Sequence, residues 1–549
     1  MRALFVVSAA LVAGAGSLVI ELASVRALAP YFGASTEVWT GAIGVVLTAL
    51  AAGYAIGGVV AERGQVFRSL GLALSAAGAF AALTPWILPI FAGWLTPENL
   101  SLGDAIWILR GGAFVTQATI FGFPIFLLGF ANPLLVRAYP QSVTFPGRAS
   151  GMILALSTLG GLLGTFGTTY YFIPQFGTRA TLFGSGMAMG ILGTAILIFE
   201  RYKKRDIAAA LITVVTAGFV SYPSMAGFIK NNDSNFRILA ERDTVEQFLR
   251  VVEPKVTNPS KNTNREVWLQ ANECLDSFQS LDAPNRATPG HYYDILAAAT
   301  LFSGVDENAR ICVIGAGAGS VSRTIKELHE NPSVDAIELD RGVVDLGREY
   351  LRLGELENFT KVWAGLDGRT ALRYLPQMQQ MSAGASRPES RSPNLYDAIL
   401  VDAYARQVEI PFHIVTKEMF QLCYSKLNDG GVVAINVSSF GAEDPVLRAI
   451  AATVSEVFAS NLSILNVRGD HNCIIVARKR LPVPAPAKLL IRMRQRKNAL
   501  ATAIAQYLAH PSGTLPFTRK ATDPILTDDL APLEWLQAES LQKAREQRP

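Results

Sequence analysis

Three carboxylates, Glu338, Asp367 and Asp402, and one glycine-rich turn, Gly315-Ala316-Gly317-Ala318-Gly319, carry the chemistry this chain can be expected to do. The turn follows a short apolar run, Arg310 to Ile314, and leads into a helical pattern through Val321, Ile325 and Leu328. A second apolar run, Val334 to Leu339, then ends on acidic residues. Strand, glycine turn, helix and strand in that order make a βαβ unit. Glycine permits backbone angles that a side chain forbids and lets a ligand approach the main chain. The free N–H groups and dipole of the following helix favour a polar or anionic ligand. Glu338 lies 19 residues beyond Gly319, where such units place the carboxylate that holds a ribose diol. The predicted ligand is a nucleoside; the competing reading is a tight turn in an ordinary α/β domain.

The elements around these residues must bring them to one place. Lys361 to Trp363 reads as a strand leading to Leu366-Asp367-Gly368-Arg369 and a helix through Ala371, Leu372 and Leu375. Tyr396 to Val401 reads as a buried strand ending at Asp402. A helix over Lys417 to Leu427, the turn Asp429-Gly430-Gly431 and strands at 432–437, 462–467 and 473–477 follow. Strands alternating with helices predict a doubly wound sheet, whose ligands sit beyond the carboxyl ends of the strands. Gly315, Gly317, Gly319, Glu338, Asp367, Gly368 and Asp402 all fall at such ends. Upstream, His291-Tyr292-Tyr293-Asp294 opens a helix, and 244–281 reads as a small β-domain. Two of the acids also have a plainer reading: Asp402 as a cap and Asp367 before glycine as a turn signal. His413 reads as a structural histidine in the loop that also holds Tyr404, Arg406 and Glu409. Asp528-Asp529 and Glu534 read as a capped helix start or as an acid cluster facing substrate.

The 549 residues divide sharply in composition, although mean hydropathy is only +0.27. Residues 1–224 are apolar and poor in charge, and seven segments are long enough to cross a bilayer, near 3–29, 39–61, 69–95, 108–136, 149–173, 179–200 and 206–224. Glu21 and Arg26 lie five residues apart in the first, which is poor spacing for a pair on one helix and predicts partners elsewhere. Asn132-Pro133 in the fourth is polar at similar depth. Arg63, Arg68, Arg137, Arg148 and the cluster 201–205 share the side of the N-terminus, which the positive-inside rule makes cytoplasmic. Seven spans would then put the C-terminal half outside, whereas a nucleoside of metabolism is found inside; the chemistry decides for a cytoplasmic catalytic domain. The expected division is 1–224 transmembrane helices, 225–284 linker and small β-domain, and 285–549 a Rossmann-like domain. The net charge of +4 gives no reason to expect nucleic acid. The four cysteines lie in the polar half without zinc-type spacing, which reads as buried thiols and no metal site.

The motifs IGAGAGSV, IELD, LDGR, YDAILVDAY, IPFHIVTKEMF and ILTDDLAPLEWL together resemble the spermidine synthase family. The opening ELASVRALAPYFG with VWTGAIGVVLTALAAGYAIGG resembles that family's bacterial membrane-fused members. The resemblance implies an enzyme of aminopropyltransferase type in the bacterial inner membrane, with S-adenosylmethionine or its decarboxylated form as substrate and no metal. Glu338 would take the ribose hydroxyls, Asp367 the adenine amino group, and Asp402 the proton of an attacking amine. Tyr292 would line the substrate channel, and Tyr404 would lie beside the acceptor. The reaction implied is displacement at a carbon bound to a sulfonium, releasing methylthioadenosine by transfer or by internal displacement. A polyamine or another amine is left open as acceptor, and a homo-oligomer as assembly. Two departures stand out: Ala318 replaces an acid in the glycine turn, and Ala405 replaces the last acid of DSSD. Losing two charge-assisted hydrogen bonds of about 1.5–3 kcal/mol each argues against ordinary spermidine synthesis and suits the carboxylate of intact S-adenosylmethionine. The rival readings are a transport or sensing protein that binds the nucleoside without turnover, and a methyltransferase.

Overall fold

Long apolar runs without water to satisfy their backbone favour helices, since a helix satisfies its own N–H and C=O groups. The structure of the protein, a computed structural model, describes residues 2–33, 36–95, 111–140, 142–225, 229, 235–255, 266–272, 279–283, 291–380, 395–404, 410–459, 461–468 and 471–546. The chain divides into two compact units: Met1–Ser234 with Ala240–Arg250 and Ala271–Leu275, and the remainder to Pro549.

In the first unit six helices are long and apolar enough to cross a membrane: Arg2–Phe32, Val38–Ala61, Val66–Leu95, Gly111–Ala138, Pro146–Phe199 and Lys204–Ser224. The spans expected at 149–173 and 179–200 meet here as one helical run of 54 residues, which would reach roughly 80 Å if straight. It is not straight. Gly177 breaks it at φ 80°, ψ 167°, backbone that favours glycine. Counted as two segments, the run restores the predicted seven. The freed Thr178 N–H donates to Asp243 Oδ2 at 3.2 Å, and the Thr178 hydroxyl bonds the same oxygen. The Arg26 guanidinium donates to the carbonyl of Thr244. Asn132 is satisfied by the Ser157 hydroxyl at 3.1 Å.

Glycines let these helices touch backbone to backbone. A Cβ at Gly78 would lie 2.3 Å from Gly190 N and 2.4 Å from Gly186 O, and one at Gly14 would lie 1.9 Å from Ser157 O. Gly78→Val must therefore push its helix away from the neighbour that carries Gly186 and Gly190, at a cost of about 1–3 kcal/mol. The expected result is a lowered thermal midpoint for the purified full chain. Gly58→Val, where nothing lies within 4 Å, should leave the midpoint unchanged, and equal midpoints for the two variants would contradict this packing.

Four strands, β1 (Phe236–Asp243), β2 (Phe248–Pro254), β3 (Val267–Ala271) and β4 (Ser280–Asp282), form a sheet in that order. The strand β1 falls in the stretch expected to be a linker; its charged residues, Arg237, Arg242, Glu241 and Asp243, hide a strand whose side chains are mostly half-buried.

Eight strands form the main sheet: β5 (Arg310–Ile314), β6 (Ser333–Glu338), β7 (Thr360–Ala364), β8 (Tyr396–Val401), β9 (Leu427–Ser438), β10 (Leu462–Val467), β11 (Asn472–Arg478) and β12 (Thr514–Leu515). Their order is β12-β10-β11-β9-β8-β5-β6-β7. The five strands from β9 to β7 are parallel, and β11 runs antiparallel between β9 and β10. Both faces are covered, as near-continuous apolar strands require. Cys312 and Ile314 join Ile399, Val401, Val433 and Ile435 in one core, while Ile311 and Val313 join Ala398, Leu400, Val432 and Ala434 in the other. The chain leaves β5 toward β6 and β7, then returns to place β8 on the other side of β5. That reversal is a topological switch point, with the ligand crevice at the strand ends. The predicted turn at 429–431 lies within β9: Gly430 at φ 77° and a register shift against Tyr396 and Ala398 keep the strand continuous.

Candidate active site

Parallel register sets the site. Ile337, Ile314, Val401 and Ile435 are aligned across β6, β5, β8 and β9, so the next residues, Glu338, Gly315, Asp402 and Asn436, emerge at one level. With neighbouring strands about 4.8 Å apart, Glu338 and Asp402 flank the glycine turn at roughly 10 Å from each other. Ala364 pairs with Glu338, which puts Asp367 just past the end of β7.

The glycine turn is built as its sequence requires. Gly315, Gly317 and Gly319 have φ of 81°, 53° and 92°. A Cβ on Gly315 would sit 2.3 Å from Asp402 O, so glycine is what lets β5 and β8 end so close together. Gly368 meets the same limit, its Cβ position falling 2.2 Å from Ile314 Cγ2. Ala318 N donates to Ser280 Oγ at 2.7 Å, and the Ala318 methyl is fully buried. Two sequence readings, Arg406 and Glu409, lie outside the described residues, as does Ala405.

Each acid has a different environment. Glu338 is 7% exposed; Oε2 accepts from Gly317 N at 2.8 Å and Oε1 from Asp340 N at 3.1 Å. Burial pushes its carboxyl up to about 7, against the pull of those N–H donors. Asp402, half-buried, is pushed up to about 6, again by burial. The Asn436 amide at 2.9 Å and the Tyr292 hydroxyl oppose that rise by donating to the Asp402 carboxylate. Asn436 is itself fixed, its Oδ1 accepting from Asn472 Nδ2 at 2.8 Å. Asp367 goes the other way: the His413 imidazole, 2.9 Å from Oδ2, holds it well below the usual carboxylate range. Asp367 also caps a helix, its Oδ1 accepting from Thr370 N at 2.8 Å.

Tyr292 therefore meets Asp402, whereas the Tyr404 hydroxyl is engaged by β9, donating to Asn436 O at 3.0 Å and accepting from Ser438 N at 2.9 Å. Asp528, its side chain exposed, takes two N–H groups of Arg369 at 2.6 and 2.7 Å. Sequence reasoning passed over Asn436, Asn472 and Ser280. The one signal was Asn436, a polar residue inside the apolar run VVAINVS.

A match to a known protein family falls on this same region. Residues 291–469 match the model of the spermine/spermidine synthase domain. The matched stretch holds Tyr292, the glycine turn, all three acids and Asn436. A probable polyamine aminopropyl transferase of Bifidobacterium longum is 25% identical over 356 residues, 62% of this chain and 71% of that protein. Polyamine aminopropyltransferase 2 of Pseudomonas aeruginosa is 27% identical over 176 residues, 31% of this chain and 44% of that protein. The solved spermidine synthase from Thermotoga maritima overlays 48% of this chain and 79% of its own with 17% identity and a TM-score of 0.35. Three free cysteines among the described residues, Cys312, Cys423 and Cys473, are buried.

Proposed function

We propose that this chain is an aminopropyltransferase-type enzyme, anchored in a bilayer by its apolar helices, with the synthase domain facing the cytoplasm. Residues 1–224 form the membrane portion, 225–284 the link and small sheet, and 285–549 the catalytic portion. Its substrate is a sulfonium nucleoside, decarboxylated S-adenosylmethionine or S-adenosylmethionine itself. Glu338 receives the ribose hydroxyls, Asp367 the adenine amino group, and the glycine turn the tail.

The reading rests on one observation: Asp402 emerges level with Glu338 across the switch point, its carboxylate aimed by Asn436 and Tyr292. The amine attacks the carbon next to the sulfonium; the C–N bond forms as the C–S bond breaks, and the electron pair leaves with methylthioadenosine. Asp402 takes the proton that the amine loses. Holding amine and carbon together supplies much of the acceleration, and proton removal adds about 10²- to 10⁴-fold. We assign Tyr404 to positioning, since it ties the loop after Asp402 to β9.

Incubating the purified chain with each sulfonium nucleoside and an amine, then separating products by chromatography, tests the reaction class. Methylthioadenosine is expected; S-adenosylhomocysteine would mean methyl transfer, and no product would mean a binding protein. A pH dependence follows from the same geometry. A carboxyl raised to about 6 is protonated below that pH and cannot accept a proton. The expected kcat/KM falls as pH drops through about 6, and a flat profile between pH 5 and 8 would remove Asp402 as the base.

A further inference from the structure

Asp367, read above as facing the base, is shared by two donors. Asp367 Oδ1 accepts from Thr370 N at 2.8 Å, and Oδ2 faces His413 Nε2 at 2.9 Å. His413 belongs to a short turn, Phe412–Ile414, far along the chain from Asp367. Its carbonyl accepts from Arg369 Nη1 at 3.3 Å. The guanidinium of Arg369 is in turn clamped by both oxygens of Asp528, which also accepts from the Thr416 hydroxyl at 2.7 Å. The N–H of Asp528 donates to Glu418 Oε2 at 3.0 Å. Backbone and ring of His413 are thus both fixed, by residues from three segments. The imidazole and the carboxylate are each about a third exposed, at 37% and 36%, so the pair borders solvent and lies outside the packed core.

A carboxylate held this way has one hydrogen-bonding character. Ionised, it accepts and cannot donate, and its two oxygens offer about four lone-pair directions. The helix cap and the imidazole each take one direction and fix the plane of the group. The directions left over can receive an exocyclic amino group of a nucleobase. A 6-oxo base presents an acceptor at that place, and acceptor against acceptor is rejected. Were the imidazole removed, the carboxylate would keep only its cap contact and could turn or take a proton, and a protonated carboxyl donates to a 6-oxo base.

We propose that His413 is a specificity-determining positioning residue: by holding Asp367 as a fixed acceptor, it makes the pocket select a 6-aminopurine nucleoside over the 6-oxo counterpart. This rests on the reading above in which Asp367 faces the base.

The test is the affinity of the full chain for methylthioadenosine and for methylthioinosine, for wild type, His413→Ala and His413→Gln, with kcat at saturating substrate for each. The wild type is expected to prefer methylthioadenosine. In His413→Ala that preference should fall about tenfold, the size of one hydrogen bond to a charged group, with kcat within twofold. His413→Gln, whose amide can still donate to Asp367, should regain most of the preference. An unchanged preference in His413→Ala would overturn the inference, as would equal losses in both variants, which mark a merely structural histidine. Should wild type bind neither nucleoside, the nucleoside pocket itself would be wrong. Should it bind both equally well, Asp367 would not read the base, while release of methylthioadenosine could still stand.

Discussion

Asp402→Asn is expected to cut methylthioadenosine release by about 10²- to 10⁴-fold while leaving nucleoside affinity within a few-fold. The substitution keeps the shape of the side chain and an oxygen for the Asn436 amide, which donates to Asp402 Oδ1 at 2.9 Å. It removes the ability to take a proton. In free energy the loss is about 2.7–5.5 kcal/mol of transition-state stabilisation, well above the effect expected from changed packing at a half-buried position. The measurement is initial rate against substrate concentration, with direct titration of methylthioadenosine to separate chemistry from binding. A rate equal to wild type would remove Asp402 from the mechanism. A loss of binding in proportion to rate would make it a binding residue only.

The second large effect belongs to Glu338. Replacing it by Gln is expected to weaken methylthioadenosine binding by about 30- to 1000-fold, from two hydrogen bonds to a charged group at about 1.5–3 kcal/mol each, partly retained by the amide oxygen. The carboxylate also orders the turn, accepting from Gly317 N at 2.8 Å and Asp340 N at 3.1 Å. An amide must turn its NH2 toward one of those donors. A pH signature separates this from general damage. Burial holds the empty Glu338 protonated up to about pH 7, whereas two ribose hydroxyls donate best to the ionised group. Affinity in the wild type should therefore rise with pH toward 7, by at most tenfold per unit, and level off above it. Glu338→Gln should lose that slope. Calorimetric titration from pH 5.5 to 8.5 reads both quantities, and a wild-type affinity that is flat or falls with pH would contradict the ribose role.

The positions of the acids were legible because a parallel sheet leaves little choice. Apolar runs of five or six residues ending at Glu338 and Asp402, with glycines after the central run, place those residues at adjacent strand ends in any doubly wound sheet. The observed β5, Ser320–Leu328 helix and β6 follow that pattern closely. What surrounds the acids was not legible, because it depends on long-range register. Asn436 reaches Asp402 only because Val401 pairs with Ile435. The partner of Asp528 was hidden because Arg369 is 159 residues earlier. The tie between His413 and Asp367 was hidden for the same reason, the two lying 46 residues apart. In the apolar half, hydropathy located the helices that are long and apolar enough to cross a membrane among the described residues, but it is blind to backbone angle, so the break at Gly177 appeared as a gap between helices.

A structure of the chain with methylthioadenosine bound tests the central claim most directly. The account predicts the ribose hydroxyls on Glu338, the adenine amino group on Asp367, and the methylthio sulfur on the side of the glycine turn where Asp402 emerges. A nucleoside bound away from these strand ends, or bound there with its sulfur turned from Asp402, would contradict it.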